Sequence, residues 1–354
     1  MTTTSSTGVI APALAARLAS ARRDIDPVLR EAVDTLPGGR VRAAARYYFG
    51  WTDPDGRPAQ GAGQGKSVRA ALVLAAAAAL GADPAAALPA AACVELVQAF
   101  TLLTDDVLDR DRTRHGRPAT WTVHTAPTAL LTGNALLCLA LTLPGLPPAG
   151  ARLLGQATAV MCEGADADTA FESRDDVTPD ECLTMTRQKT AVFVGAAAGV
   201  GAHCAGADAR MVDVLVEAFT TAGNAFQCAN DMLGVWGDPA RTGKPTGSDL
   251  AGLKRTLVTV DALGHDSTAG RELTTLYAAR TPLASADTAR ATELVEATGA
   301  GHRALDFIDM HTRRALALLG QAVPDPSARA DLQALATMPT GYYAAYADER
   351  GPRP

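Results

Sequence analysis

An all-α fold is what the sequence predicts, and three observations carry the prediction. The 354 residues are 47% hydrophobic but only 5% aromatic, so the apolar content rests on Ala, Leu and Val, and Ala and Leu are strong helix formers. No segment shows the alternating β-branched pattern of a half-buried strand. Apolar residues recur instead at helical spacing, in blocks punctuated by Gly, Pro and Asp. Together these predict a single-domain bundle of about 10–13 helices with no dividing linker. Its expected bounds are 13–345, between an N-terminal tail at 1–12 and a C-terminal tail at 346–354.

The elements follow in order. Pro12–Leu36 has helical spacing and stops at Gly38-Gly39, and Trp51–Gln64 is a Gly/Pro/Asp loop. An Ala-rich helix over 66–80 closes at Gly81, a residue suited to a left-handed cap. The next, over 88–109, runs into the basic loop Arg110–Arg117. Helices are predicted over 127–143, 149–172, 179–200 and 208–236, the third opened by Thr178-Pro179-Asp180-Glu181. A second basic loop, Pro239–Arg255, precedes helices over 256–265, 268–281, 285–299, 301–321 and 326–336.

Composition excludes several classes. Lys and Arg total 32 against 38 Asp and Glu, a net charge of −6, which is the wrong sign for a protein working on nucleic-acid backbone. The six cysteines, at 93, 138, 162, 182, 204 and 228, form no C-x-x-C pair and read as small buried hydrophobes in a reducing compartment. The Thr/Ser-rich start has no basic segment of the secretory kind. The uncharged stretches Thr128–Leu143 and Thr190–Ala207 are too short, or too rich in Ala and Gly, to span a bilayer and are read as buried helices. The expected location is cytoplasmic.

Two acidic helix ends carry the chemistry. Asp105 and Asp109 in the run DDVLD are four apart and share a face, with Gln98 seven residues earlier on nearly the same face. Such a pair repels unless a cation lies between, and Mg²⁺ suits one or two carboxylates completed by water and phosphate. A solvated acidic end balanced by Arg110, Arg112 and Arg114 explains one such motif equally well. The second end decides between them: Gln227, Asn230, Asp231, Gly234 and Asp238 form one helical stripe. TDDVLDRDRTRHGRPAT at 104–120 and ANDMLGVWGDPARTGKPTG at 229–247 are parallel in plan, acids on a helix end and then Arg and G-[RK]-P. Two such ends facing one ligand make a trap for a diphosphate, with metal between acids and phosphate and Lys/Arg on the remaining oxygens.

These motifs resemble the trans-isoprenyl diphosphate synthases, the polyprenyl synthetase family, over roughly residues 35–340. The matching segments are G-K-x-x-R at Gly65–Arg69, DDVLD at Asp105–Asp109, R-x-G-R-P at Arg114–Pro118, Lys189-Thr190, Phe226-Gln227 and GDPARTGKPTGSDLAGLKRT at 237–256. The resemblance implies the isoprenoid synthase fold, a helical bundle around a central cavity, a homodimer, and an allylic diphosphate held under three Mg²⁺. It implies that Asp105, Asp106 and Asp109, with Asn230, Asp231 and Asp238 opposite, form the metal sites. Arg114, Lys189 and Lys244 would hold the allylic diphosphate, Lys66, Arg69, Gln98 and the position of His115 the isopentenyl diphosphate, and Lys254 would be a further substrate-binding residue. Thr190 and Gln227 would face the carbocation. Phe100 and Thr101 occupy positions that limit chain length in the family, and a ring there implies a short product, about C15–C20.

Departures from the family pattern leave alternatives open. His115 stands where the family has a second Arg gripping isopentenyl diphosphate, and a largely neutral imidazole does this poorly. Asn230 replaces a metal-binding Asp, and Ala165 replaces a Gln beside Gly164, although Asp168 is kept. Asn230, Gly234 and Asp238 also resemble the metal motif of class I terpene cyclases, which ionise one diphosphate and need no second. Elongating synthase, cyclase and catalytically weak partner subunit are therefore the three readings. A metal-dependent phosphohydrolase is disfavoured, because none of the six His residues is spaced for shared metal ligation.

Overall fold

Prolines, caps and buried glycines set where the helices start and how closely they pack. The computed structural model describes residues 11–59, 65–239 and 245–340, so most of both expected tails lies outside it. Helix α1 (Pro12–Asp34) opens on a proline, as do α4 (Leu88–Leu108), α6 (Ala126–Thr142), α7 (Pro148–Phe171) and α8 (Pro179–Thr186) within their first two positions, where a missing N–H costs nothing. The signature ahead of α8 is a full capping box, with Thr178 and Glu181 each bonding the other's backbone N–H. Asp208 caps α10 (Ala209–Trp236) by accepting from the Met211 N–H at 2.8 Å. Gly81, beyond α3 (Val68–Ala79), has φ +86°, the predicted left-handed stop.

Several elements were not foreseen. α2 (Arg40–Tyr48) and the short α5 (Thr120–His124) fall in segments for which the sequence predicts no element, and the basic loop after α4 contains a β-hairpin, β1 (Thr113–Arg114) with β2 (Arg117–Pro118). The helix predicted over 179–200 is interrupted: α8 and α9 (Val192–Cys204) are joined by a π turn, Arg187–Ala191. The remaining helices are α11 (Ser248–Ala251), α12 (Leu257–Leu263), α13 (Thr268–Tyr277), α14 (Ser285–Ala297), α15 (Ala300–Ala322) and α16 (Ala330–Ala336).

Packing forms two main apolar clusters joined along α10. One gathers α1, α3, α4, α6, α9 and the first half of α10; the other gathers the second half of α10 with α11 to α15. α9 is buried from Gly195 through Ala202 without a break, so it has neighbours all round and no amphipathic pattern to display. It approaches α3 closely at Gly201, where a Cβ would stand 2.3 Å from the Val73 carbonyl oxygen. The low aromatic content follows from this close helix packing. Among the described residues, one apolar helical run, Pro84–Leu108, has the length and mean hydropathy of a membrane span, and over half of that window is buried inside the bundle. α6 is only half-buried, contrary to the sequence expectation: Leu131, Cys138 and Leu141 lie exposed. Cys162 is exposed as well, so the description of the cysteines as buried holds for Cys93, Cys182 and Cys228.

Candidate active site

The last turns of α4 form one wall of a cavity of about 1170 Å³, with Gln98, Thr101, Asp105 and Asp109 on its surface. Helical spacing turns Asp106 the other way. It is 1% exposed and bonded to Arg114, whose Nε donates at 2.7 Å. Burial pushes the Asp106 pKa up to about 6, against the pull of Arg114. Burial also weakens the Arg114 charge, but Asp106 outweighs it and raises that pKa. The Trp121 indole donates to the Asp111 carbonyl at 2.7 Å and fixes the chain just past the helix.

The hairpin beyond α4 brings His115 to the cavity. His115 and Gly116 have φ +53° and +73° between the paired Arg114 and Arg117, the two positive values that a type I′ turn requires. His115 Nε2 lies 3.2 Å from where a Cβ on Gly65 would stand, so the turn abuts the Gly65–Arg69 segment. Loss of solvation, followed by the charges of Arg114, Arg22, Lys66 and Arg117, pushes the His115 pKa down to about 4. The imidazole is neutral at physiological pH. Nearby, Arg69 Nε and Gln98 Oε1 are buried without a hydrogen-bond partner among the described residues. Both residues line the cavity, and orphaned polar atoms there mark a place for a polar ligand.

The facing wall is α10. Thr190 Oγ1 donates to Gln227 Oε1 at 3.0 Å, and Gln227 Nε2 donates to Asp231 Oδ1 at 2.8 Å. The Leu257 N–H reaches Asp231 Oδ2 at 3.2 Å. Asn230 and Gly234 line the same wall. A Cβ on Gly234 would lie 1.9 Å from Asp249 Oδ2, so the Asp249 carboxylate fills the space above that glycine. Burial, and then the neighbouring Asp249, pushes the Asp231 pKa up to about 8. Sequence reasoning missed Asp249, because its relation to Gly234 exists only once α11 folds back on α10.

Lysines lie between the acids. The π turn carries Lys189 and Thr190, pressed from one side by α7 and from the other by α10. A Cβ on Gly164 would stand 2.3 Å from Lys189 N, and one on Gly223 2.7 Å from Ala191 Cα. Lys189 Nζ bonds Asp168 at 2.7 Å, and the fields of Asp105, Asp168 and Asp109 overcome burial to raise its pKa. Lys254 Nζ donates to Asp109 at 2.7 Å and to Glu172 at 2.5 Å, tying the second motif to the first. Thus the two acidic ends do meet, as their parallel plan suggested.

Some expected residues fall elsewhere. Asp238 is exposed beyond the end of α10 and does not line the cavity, because the helix stops at Gly237 and the stripe with it. Phe100 is also absent from the lining; its ring packs toward Gly133 of α6, 3.3 Å from where a Cβ would be. Lys254 reaches the site through Asp109 rather than through the cavity surface. Lys244 lies outside the described residues.

The donor set fits a hard cation that arrives with phosphate. Among the described residues no three Asp, Glu, His or Cys side chains converge to hold an ion unaided. Each wall instead offers one or two carboxylates, the share protein supplies to Mg²⁺ when substrate phosphates complete its shell. Burial raises the pKa of both Asp105 and Asp231, a cost that a cation beside them would offset.

Known proteins are similar to this chain in sequence and fold. The Polyprenyl synthetase family model matches residues 60–295. The chain is similar to the geranylgeranyl diphosphate synthase of Mycobacterium tuberculosis, 42% identical over 317 residues and covering 88% of this chain and 90% of that one. It is 41% identical over 321 residues to the (2E,6E)-farnesyl diphosphate synthase of the same organism, covering 88% and 89%. The crystal structure of a polyprenyl synthetase from Streptomyces coelicolor superposes with a TM-score of 0.84 at 35% identity, covering 92% of this chain and 98% of that one.

Proposed function

The chain belongs to the polyprenyl synthetase family, and on that premise we propose that it condenses an allylic prenyl diphosphate with isopentenyl diphosphate to give a short-chain prenyl diphosphate. One observation carries the reading: two carboxylate walls face each other across a cavity that also holds the separate cationic cluster Lys66, Arg69 and Arg22. Two anion-binding regions suit two diphosphate substrates. A cyclase that ionises one substrate has no use for the second, and Asn230 alone does not outweigh it. A catalytically weak subunit is disfavoured too, because Asp105, Asp109 and Asp231 are all in place.

The reaction breaks the allylic C1–O bond, and the electron pair leaves with diphosphate. The isopentenyl double bond attacks C1, forming the new C–C bond, and the released diphosphate takes the proton that restores an alkene. When bound, Mg²⁺ would supply positive charge against that developing on the leaving group, with three ions as the family resemblance implies. Asp105 and Asp109 would hold the cations on one wall, and Asp231 with Asn230 and Asp249 on the other. Arg114 and Lys189 bind allylic diphosphate oxygens. Thr190 spends its hydroxyl proton on Gln227, which leaves its oxygen lone pairs to face the carbocation. Leu72, Leu102, Met161, Val194, Phe219 and Phe226 line the cavity and keep water from that cation. Thr101, rather than Phe100, meets the growing chain.

We propose a homodimer through α6, whose Leu131 and Leu141 are 58% and 41% exposed with Cys138 between them on the same side. Six free thiols support a cytoplasmic location as part of the same reading. The test is an assay with Mg²⁺ and dimethylallyl, geranyl or farnesyl diphosphate, each with and without isopentenyl diphosphate. Longer diphosphates should form only when isopentenyl diphosphate is present. Hydrocarbon or alcohol formed in its absence would overturn the reading. Asp105→Asn should cut turnover at least about 100-fold, in line with loss of one transition-state charge contact.

A further inference from the structure

The cation at the isopentenyl end comes from an unexpected element. His115 occupies the turn beside Arg114 and is neutral, while Arg114 pairs with Asp106 and serves the allylic diphosphate in the reading above. α1 crosses this end of the cavity and sends Arg22 into it. Arg22 Nη1 donates to the Gly65 carbonyl at 3.1 Å, and His115 lies close against the same glycine. Arg22, Lys66, Arg69, Gln98 and His115 therefore line one end of the cavity.

The local charges leave this end positive. Asp26, one turn along α1 from Arg22, already accepts from the Trp51 indole at 2.8 Å and from Arg30 at 2.6 Å. Glu95 lies between Arg69 and Arg22 and accepts the Ala70 N–H at 3.2 Å. Arg22, Lys66 and Arg69 thus stand against the two carboxylates Glu95 and Asp26, the latter shared with Arg30, beside the orphaned Arg69 Nε. A planar guanidinium fork matches adjacent phosphate oxygens.

Resting on the elongation reading above, we infer that Arg22 is a substrate-binding residue of the isopentenyl diphosphate subsite, supplying from α1 the guanidinium that position 115 lacks. The neutral imidazole contributes a hydrogen bond only.

The test is a double-mutant cycle read by both binding and kinetics. Arg22→Gln should weaken binding of isopentenyl diphosphate, measured by calorimetry without turnover, and raise its KM by about 10-fold or more, the loss expected for one charge-assisted hydrogen bond. The KM of the allylic substrate should stay within about twofold, since the two subsites are separate. Arg22→Lys should recover part of the loss. His115→Arg placed in the Arg22→Gln protein should restore isopentenyl diphosphate binding, which a merely structural role of Arg22 cannot explain. The inference is overturned if Arg22→Gln leaves isopentenyl diphosphate binding unchanged, if both KM values and the melting temperature move together, or if His115→Arg restores nothing. A wild-type protein that elongates while Arg22→Gln is neutral sinks this inference alone. A wild type that binds isopentenyl diphosphate through Arg22 yet never elongates sinks the elongation reading alone.

Discussion

Replacing Gly164 with Ala tests whether packing of the π turn sets catalysis. The new Cβ would stand 2.3 Å from Lys189 N, 2.7 Å from Lys189 Cα and 2.8 Å from the Gln188 carbonyl carbon, against ordinary contact from 3.4 Å. All three are backbone atoms, so no side chain can swing aside. The π turn must retreat by about 1 Å, and Gly223 on the far side leaves it little room. Overpacking of this kind costs about 1–3 kcal/mol. The same displacement carries Lys189 and Thr190 out of register with the acids, and a shift of about 1 Å typically costs about 100-fold in rate. Gly155→Ala, on the same helix with nothing within 4 Å of the added Cβ, is the control. It should stabilise by about 0.5–1 kcal/mol and leave turnover alone. Steady-state kcat and thermal melting of the three proteins decide the matter. If Gly164→Ala folds and keeps kcat within about threefold of wild type, the account of the π turn is wrong.

Other predictions need less development. Thr101→Phe should shorten the product, read by chromatography of the dephosphorylated alcohols, whereas Phe100→Ala should leave its length unchanged because that ring faces α6. Thr178→Ala should cost about 1 kcal/mol in chemical denaturation, the usual value of an N-cap. Arg174 and the Thr178 cap hold the Glu181 pKa down to about 2, below its ordinary 4.5. Its stabilisation is therefore present above about pH 4.5 and is lost as the pH falls toward 2; Glu181→Gln should flatten that part of the stability profile. Leu131→Asp on α6 should shift the protein from dimer to monomer in light scattering, and an unchanged mass would remove α6 from the interface.

The helix spacing in the sequence already placed the two acidic walls. Asp105, Asp109, Gln227 and Asp231 obey a one-turn rule that needs no tertiary information. Asp238 does not follow the rule because the stripe extends to it two residues past the helix end predicted at 236, where Gly237 and Pro239 stop the helix. The π turn was invisible for a different reason. The residues RQKTA favour an ordinary helix, and the extra residue is accommodated by Gly164 and Gly223, each more than 20 positions away. Arg22 and Asp249 are equally non-local, since their meaning depends on which loop they meet. α2 is rich in Arg and buries only Ala44, Ala45 and Tyr47, too thin an apolar stripe to announce a helix from spacing.

The placement of Lys189 and Lys254 makes the site a coincidence detector. Each ammonium rests on carboxylates, at Asp168 in one case and at Asp109 and Glu172 in the other. A divalent ion arriving alone must compete with these resident charges, and a diphosphate arriving alone meets the acids. Arriving together, they would free the lysines to turn from Asp168, Asp109 and Glu172 to phosphate oxygens while the carboxylates meet the cation's charge. Affinity for either ligand should thus rise steeply in the presence of the other, and the bond-breaking charge is assembled only around a metal-loaded diphosphate.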